Sequence, residues 1–358
     1  ISVNNQQCIG PCYPPNEKVL HPTTLNLITV ENHPFCPTFE WFNDKLGEYQ
    51  HKFYYIQKHI DKILELPLVN KKAIKERNFK VVIDCVNSTG GISVPELLVA
   101  LGVTDVVELF TNPNGRFPHN PEPLPEHLGT IAHEVKHQKA DVGLVVDPDV
   151  DRLAIVCENG DMFGEEYTLV SIADYVLKHT PGNVVSNLSS TQALRDVAVK
   201  HKVEHHQSAV GEVHVVSMMK EVNAIIGGEG NGGIILPELH YGRDALVGIA
   251  LFLSHLATSG KSCSRLRADY PNYFMAKNKI ELPEGTDVQY ILRKMEEKYK
   301  KEKLNKTDGL KIEMGGDWVH LRASNTEPII RIYSESSTKT TAENINKKIM
   351  DDIKNVMK

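Results

Sequence analysis

Nothing in this 358-residue sequence approaches the ~20 consecutive apolar residues that a helix needs to cross a bilayer, which excludes a helical membrane span. Basic residues are not in excess either. Lys and Arg number 40 against 46 Asp and Glu, a net charge of −6, and that balance argues against general nucleic-acid binding. An anionic substrate would then be held by local positive groups rather than by the field of the whole protein. Cysteine is sparse. The six (Cys8, Cys12, Cys36, Cys85, Cys157, Cys263) are scattered, which fits reduced thiols in a cytoplasmic protein better than a disulfide framework. Cys8 and Cys12 could form half of a zinc site, but no second pair follows. No secretory leader is visible. The chain begins with Ile rather than Met, as a fragment, a processed product or an incomplete record would. What is present, 41% hydrophobic and 24% charged residues, is the composition of a soluble globular protein of roughly two to four domains.

One stretch organises the rest: Asp147-Pro148-Asp149-Val150-Asp151-Arg152. The apolar, β-branched run Val142 to Val146 leads into it and reads as a buried parallel strand. A second run, Leu153 to Cys157, follows, and Asn159-Gly160 after it is a hairpin signal. Three carboxylates at alternate positions thus sit at the carboxyl end of a strand, where open α/β sheets bind ligands. They repel one another, and a hard divalent cation such as Mg²⁺ relieves that repulsion through oxygen ligands. Arg152 adds a positive charge facing the same cleft, suited to a phosphate. The plainer reading is an acidic surface turn. A calcium loop of EF-hand type, with Glu158 at its twelfth position, fails because its sixth is Arg152 rather than Gly and its flanks are strands.

Taken in order, residues 1–52 are poorly patterned, with only Leu25 to Val30 strand-like. Tyr54 to Leu64 has helical spacing, and its His59 reads as a solvated surface residue. From Phe79 strands and helices alternate: strand 80–84, a turn at 87–91, helix 94–101, strand 106–109, a helix from Pro125 to Val135, strand 142–146 and helix 167–177. Pro181-Gly182 marks a boundary, after which a second unit holds strand 183–186, a helix capped by Ser190 or Thr191, strand 224–226 and the apolar helix 245–256. Beyond Gly260 come a charged helix 288–303, strands flanking Arg322 to Pro328, and a closing helix 341–356, an α+β arrangement. The fold class is therefore α/β: multi-domain, with three-layer α/β domains and a C-terminal α+β domain. The expected division is 1–76, 77–180, 181–267 and 268–358.

Two further stretches carry chemistry. Gly227 to Gly233 holds five glycines in seven residues, which strips away side chains so that a ligand can approach the backbone, leaving Glu229 and Asn231 to meet sugar hydroxyls. A bulged tight turn with an incidental Glu is the alternative. No G-x-G-x-x-G opens a helix there, so the run is not a dinucleotide fingerprint. The segment Arg322-Ala323-Ser324-Asn325-Thr326-Glu327-Pro328, followed by Arg331, is suited to a phosphate dianion held by two arginine forks and small hydroxyls. A polar turn whose arginines pair with Glu327 and Glu335 is the alternative.

DPDVDR, GEGNGG and RASNTEPIIR, in that order, resemble the α-D-phosphohexomutase superfamily of phosphoglucomutase, phosphomannomutase and phosphoglucosamine mutase, over residues 53–358. VNSTGG, FPHNPEPLPEHL, FGEEYTLV, NLSSTQALRD and HYGRDALVGIALFL look most like the phosphoglucosamine mutases of Bacteroidota. The resemblance implies a four-domain enzyme whose pocket takes one loop from each domain. It implies Mg²⁺ on Asp147, Asp149 and Asp151, with Arg152 beside it. Glu229 and Asn231 would grip the sugar, Asn231 standing where many members have Ser and Gly233 where many have His. Ser208 to Gly211 resembles the loop that helps tell sugars apart, and Arg322, Ser324, Asn325, Thr326 and Arg331 would hold the non-reacting phosphate. The implied reaction moves a phosphoryl group between O6 and O1 of a hexose phosphate through a hexose 1,6-bisphosphate. Its partner is the hexose phosphate, with no nucleic acid or membrane, in a cytoplasmic monomer or homodimer.

The sequence departs from the family in its first domain, where Thr-Ala-Ser-His-Asn-Pro is not intact and Glu31 falls at the position of the phosphoserine. Either Glu31 is real, and its carboxylate mimics part of the phosphate, or the first ~50 residues are an incomplete record of an ordinary mutase domain. The preferred expectation is glucosamine 6-phosphate to glucosamine 1-phosphate. The alternatives are phosphomannomutase or phosphoglucomutase activity, a catalytically impaired sugar-phosphate-binding homologue, and a weaker third, a metal-dependent phosphatase.

Overall fold

β-Branched runs form the strands of the first sheet, which position the acidic stretch. In the computed structural model, residues 54–283, 285–324 and 327–357 are described; the strand expected at 25–30, Glu31, Asn325 and Thr326 lie outside them. Two helices, α1 (Tyr55–Glu65) and α2 (Lys71–Arg77), precede β1 (Lys80–Asp84), α3 (Gly90–Leu101), β2 (Asp105–Leu109), α4 (Gly129–His137), β3 (Val142–Val146), β4 (Leu153–Cys157) and α5 (Glu165–His179). The sheet runs β2-β1-β3-β4, with β1 parallel to β2 and β3, and β4 antiparallel to β3. β3 and β4 are buried at every position, as an unbroken apolar run requires.

The second unit repeats this plan. It comprises β5 (Val184–Asn187), α6 (Ala193–His201), β6 (His205–Ser208), α7 (Glu212–Glu221), β7 (Ile226–Glu229), β8 (Gly233–Ile235), α8 (Ala245–Ser259) and the short α9 (Cys263–Arg267). Its strands lie in the order β6-β5-β7-β8, with β5 parallel to β6 and β7, and β8 antiparallel to β7. The acidic stretch joins the third strand of one sheet to its fourth, and the glycine-rich stretch makes the same connection in the other. The third sheet is wholly antiparallel: β9 (Phe274–Glu281), β10 (Lys303–Asn305), β11 (Leu310–Met314), β12 (Asp317–Ala323) and β13 (Ile329–Ser336), ordered β10-β11-β12-β13-β9. Helices α10 (Val288–Lys298) and α11 (Lys339–Val356) give it an apolar core of its own, separate from the one shared by the two α/β units.

Several boundaries differ from expectation for physical reasons. Helix α3 begins at Gly90, not Val94, because Thr89 O already accepts from Ile92 N and Ser93 N. The helix expected from Pro125 splits into a 3₁₀ turn, Pro125–His127, and α4. Gln192 caps α6, while Thr191 Oγ1 accepts from Ala193 N at 3.2 Å. β7 starts at Ile226 and runs into the glycines, since Ala224 N is held by Met219 O. Helix α10 stops at Lys298, and Leu304 pairs with Ile312 in a strand instead.

The apolar helix α8 is buried from Ala245 to Leu256 and carries the edge residues Leu153 and Ile234 against Gly248. Asp244 caps it through Oδ1, which accepts from Leu246 N and Val247 N. Its Oδ2 is 2.8 Å from His59 Nε2 and 3.1 Å from His240 Nε2. His59 is therefore half-buried and partnered, not the solvated residue that helical spacing implies; the carboxylate lies 185 residues away in sequence. Gly242 N donates to His240 Nδ1, which leaves the His240 proton on Nε2, facing Asp244. The bond to Asp244 raises the His59 pKa above the ordinary 6.5. Burial pushes the Asp244 carboxyl up, but the donors from His240 and His59 outweigh it and hold it well below the usual range. A raised histidine stabilises fully below its unfolded value and loses that contribution as pH rises through its folded value. Replacing His59 by Ala is thus expected to cost about 1 kcal/mol more at pH 6 than at pH 9, read by urea denaturation.

Candidate active site

The acidic loop is built around Asp147, which is fully buried. Its Oδ1 accepts from Asp151 N and Arg152 N, both at 3.1 Å, and its Oδ2 accepts from Arg152 Nε at 2.7 Å. Ser88 Oγ and Thr89 Oγ1 donate to Pro148 O and pin the loop from outside. Val150 takes a left-handed φ of +61°, a strained conformation for a β-branched residue, and its carbonyl is held by Ala245 N of α8. Asp147, Asp149 and Asp151 bring carboxylate oxygens within 4.8 Å of one another. Asp151 Oδ1 is buried without a hydrogen-bond partner. Burial, and then the adjacent Asp147, raise the Asp151 carboxyl to about 7. Crowded carboxylates, a stranded oxygen and a raised acid together fit a hard divalent cation of the Mg²⁺ kind. Arg152 is not a free charge here: besides Asp147 it lies 3.4 Å from Glu122 Oε1.

The glycine-rich loop reaches the acidic one through the sheet edges. Arg152 and Gly233 form an antiparallel bridge, and Leu153 N donates to Gly232 O. Gly232 has φ +89°, and a Cβ on it would lie 2.5 Å from Leu153 O. Gly232→Ala is therefore expected to cost about 2–3 kcal/mol in thermal or urea unfolding, since it strains the backbone and parts the two edges. The sequence pattern predicts a run that clears space for a ligand; at this position it makes room for a neighbouring strand. Glu229, 6% exposed, accepts from Asn187 Nδ2, Gly211 N and Arg243 Nη1. Asn231 Oδ1 accepts from Gly233 N and shapes the turn.

The third loop hangs between β12 and β13. Arg322 and Arg331 are direct register partners across these strands, an arrangement that places like charges side by side and favours an anion between them. Arg322 Nη1 lies 3.8 Å from Asp308 Oδ2, and Arg331 Nη2 lies 3.8 Å from Glu327 Oε2, too long for either pair to be closed. Ser324 N donates to Ile329 O and closes the turn. Arg322, Ala323, Ser324 and Arg331 line a cavity of 250 Å³ with Val210 and His214. Of the loop that leads there, Ser208 is buried and donates to Ala209 O, and Gly211, φ +116°, precedes α7.

Contacts link the acidic loop to the glycine-rich one and run on as far as Asp308, across from Arg322. Asp151 pairs with Arg243, and Arg243 with Glu229. Gly211 N donates to Glu229, Val210 N donates to Asp308 Oδ2 at 3.0 Å, and Asp308 faces Arg322. Arg243, Asp308 and Asn187 are not marked out by the sequence. Arg243 sits in a stretch recognisable only as a family likeness, with no local signal of its role.

Three sequence profiles match the chain. They are described as phosphoglucomutase/phosphomannomutase alpha/beta/alpha domain II over residues 57–160, domain III over 164–273, and the C-terminal domain over 279–352. Among curated relatives, a phosphoglucomutase/phosphomannomutase of Thermococcus kodakarensis is 38% identical over 278 residues, covering 76% of this chain and 60% of its own. A phosphoglucosamine/phosphogalactosamine mutase of Sulfurisphaera tokodaii is 31% identical, covering 77% of this chain and 62% of its own. The chain thus spans less than two thirds of either relative. A crystal structure of a phosphoglucomutase/phosphomannomutase family protein from Burkholderia thailandensis superposes with a TM-score of 0.72 at 25% identity, covering 84% of this chain and 64% of the other.

Proposed function

The chain belongs to the phosphoglucomutase/phosphomannomutase family, and from that premise we propose that it is a Mg²⁺-dependent phosphohexomutase. It moves a phosphoryl group between O6 and O1 of a hexose phosphate, with glucosamine 6-phosphate as the preferred substrate. The observation that carries this reading is the line of contacts from Asp151 through Arg243 and Glu229 to Gly211 N, and from the adjoining Val210 N to Asp308, which faces Arg322. In this reading Arg322, Ser324, Asn325, Thr326 and Arg331 hold the phosphate that does not react, while Glu229 and Asn231 orient the ring. Ser208 and Gly211 shape the loop that meets the sugar's distinguishing groups. Asp147, Asp149 and Asp151 hold the cation, whose charge offsets that of the phosphoryl oxygens when it is bound. Arg152 keeps Asp147 in place. A hexose 1,6-bisphosphate serves as activator and intermediate, and its half-turn exchanges which phosphate lies in the fixed cradle.

The division at 76, 180 and 267, a cytoplasmic location and a monomeric or homodimeric state belong to the same proposal. So does the finer likeness to Bacteroidota phosphoglucosamine mutases, which rests on stretches such as VNSTGG and NLSSTQALRD; the Thermococcus and Sulfurisphaera relatives are archaeal. Phosphoglucomutase or phosphomannomutase activity is the second reading, favoured by the name of the 38%-identical relative. The test is to incubate the chain with Mg²⁺, glucosamine 6-phosphate and a trace of glucose 1,6-bisphosphate, and to follow the 1-phosphate by ³¹P NMR. Appearance of glucosamine 1-phosphate is the expected result. Binding without turnover would instead assign a sugar-phosphate-binding homologue with Glu31 in the phosphoserine position, and released inorganic phosphate would assign a phosphatase.

A further inference from the structure

Gly233 and Arg243 share one volume. A Cβ on Gly233 would lie 2.5 Å from Arg243 Cδ and 3.2 Å from its Cγ, so the arginine stem runs over the bare backbone at the start of β8. From there the guanidinium reaches carboxylates on three different elements. Nη2 pairs with Asp151 of the acidic loop, Nη1 is 3.0 Å from Glu229 Oε2, and Nε is 3.3 Å from Glu212 Oε2 at the start of α7. Its backbone is fixed as well, since Arg243 N donates to Glu212 Oε1 at 3.0 Å. The side chain is only 19% exposed, and Nε, though near Glu212, makes no hydrogen bond. One fork therefore ties the cation group to the sugar-binding carboxylate, and it does so only because position 233 has no side chain. A planar fork can exchange one carboxylate for a phosphoryl oxygen while keeping the other.

Resting on the phosphohexomutase reading, we propose that Arg243 shares Asp151 with the divalent cation and turns the freed Nη2 toward the phosphoryl oxygens of the hexose phosphate. Gly233 is then its partner, the position that admits the arginine stem. Three variants test this: Arg243→Gln, Arg243→Lys and Gly233→Ala. Cation affinity is read by Mn²⁺ electron paramagnetic resonance, hexose phosphate affinity by calorimetry, and folding by thermal melting. Removing a neighbouring positive charge is expected to tighten Mn²⁺ binding about tenfold in Arg243→Gln and to weaken glucosamine 6-phosphate about tenfold. Arg243→Lys keeps wild-type Mn²⁺ affinity and loses hexose phosphate affinity, because an ammonium lacks the fork. Gly233→Ala shifts both affinities in the same directions as Arg243→Gln, by less. Unchanged Mn²⁺ affinity in Arg243→Gln overturns the proposal. So does a fall in melting temperature with weaker Mn²⁺ binding in all three variants, the mark of a structural pin. The cation titration needs no turnover, so a wild-type chain that never interconverts the two phosphates would remove the mutase reading and leave this test intact.

Discussion

Asp147→Ala is expected to abolish divalent-cation binding and to lower stability by about 3–5 kcal/mol, the cost of breaking a buried charge pair by removing one partner. Asp147 is fully buried and collects two backbone donors and the Arg152 guanidinium. Without it, the N–H groups of Asp151 and Arg152 lose their acceptor, directly beside Val150 with its left-handed φ. Asp147→Asn separates the two effects. An amide oxygen still accepts from the backbone, so much of the stability returns, but the lost charge leaves the cation group too weak to fill. Urea denaturation and calorimetric Mg²⁺ titration measure the two quantities independently. Wild-type Mg²⁺ affinity in Asp147→Asn would show that the carboxylate serves the fold alone.

Arg322→Ala is expected to weaken hexose phosphate binding at least tenfold with little change in stability. The residue faces a cavity at 26% side-chain exposure, and among the described residues its ion-pair partner, Asp308, is 3.8 Å away. The fork is thus available to an anion, and a hydrogen bond to a charged group contributes roughly 1.5–3 kcal/mol. Arg331, directly across the strand pair, is the natural second half of that grip, so the double variant should lose more than the single. Calorimetry with glucosamine 6-phosphate checks the size, and glucosamine without phosphate is the control. Unchanged affinity for the phosphorylated sugar would remove the cradle from the site.

The acidic loop is legible in the sequence because its signal is local. A β-branched run ends, carboxylates alternate, and a second apolar run begins, and the strands form at Val142–Val146 and Leu153–Cys157 as that pattern predicts. Parallel pairing within the α/β units follows from the alternation of strands and helices. What escapes a reading of the sequence is whatever depends on distant chain. His59 lies on an amphipathic helix at a position that periodicity assigns to solvent, yet Asp244 reaches it through the fold. Arg243 carries no local signal of its role within a family-like stretch; its placement comes from a missing Cβ ten residues earlier and from three carboxylates on separate elements. The glycine run is visible but its purpose is not, since only the three-dimensional arrangement shows that Gly232 faces the backbone of Leu153.

The C-terminal sheet keeps its own apolar core and meets the second α/β unit through polar bonds: Ser189 with His320, Gln192 N with Glu335, Lys311 with Leu188 O, and Val210 N with Asp308. The two α/β units, by contrast, share one core and a backbone bridge. The carboxylates Asp151 and Glu229 thus sit on elements locked together by a common apolar core, whereas the arginine-lined cavity is joined to them across a seam of polar bonds, so substitutions at that seam should disturb the anion end of the pocket before the acidic end.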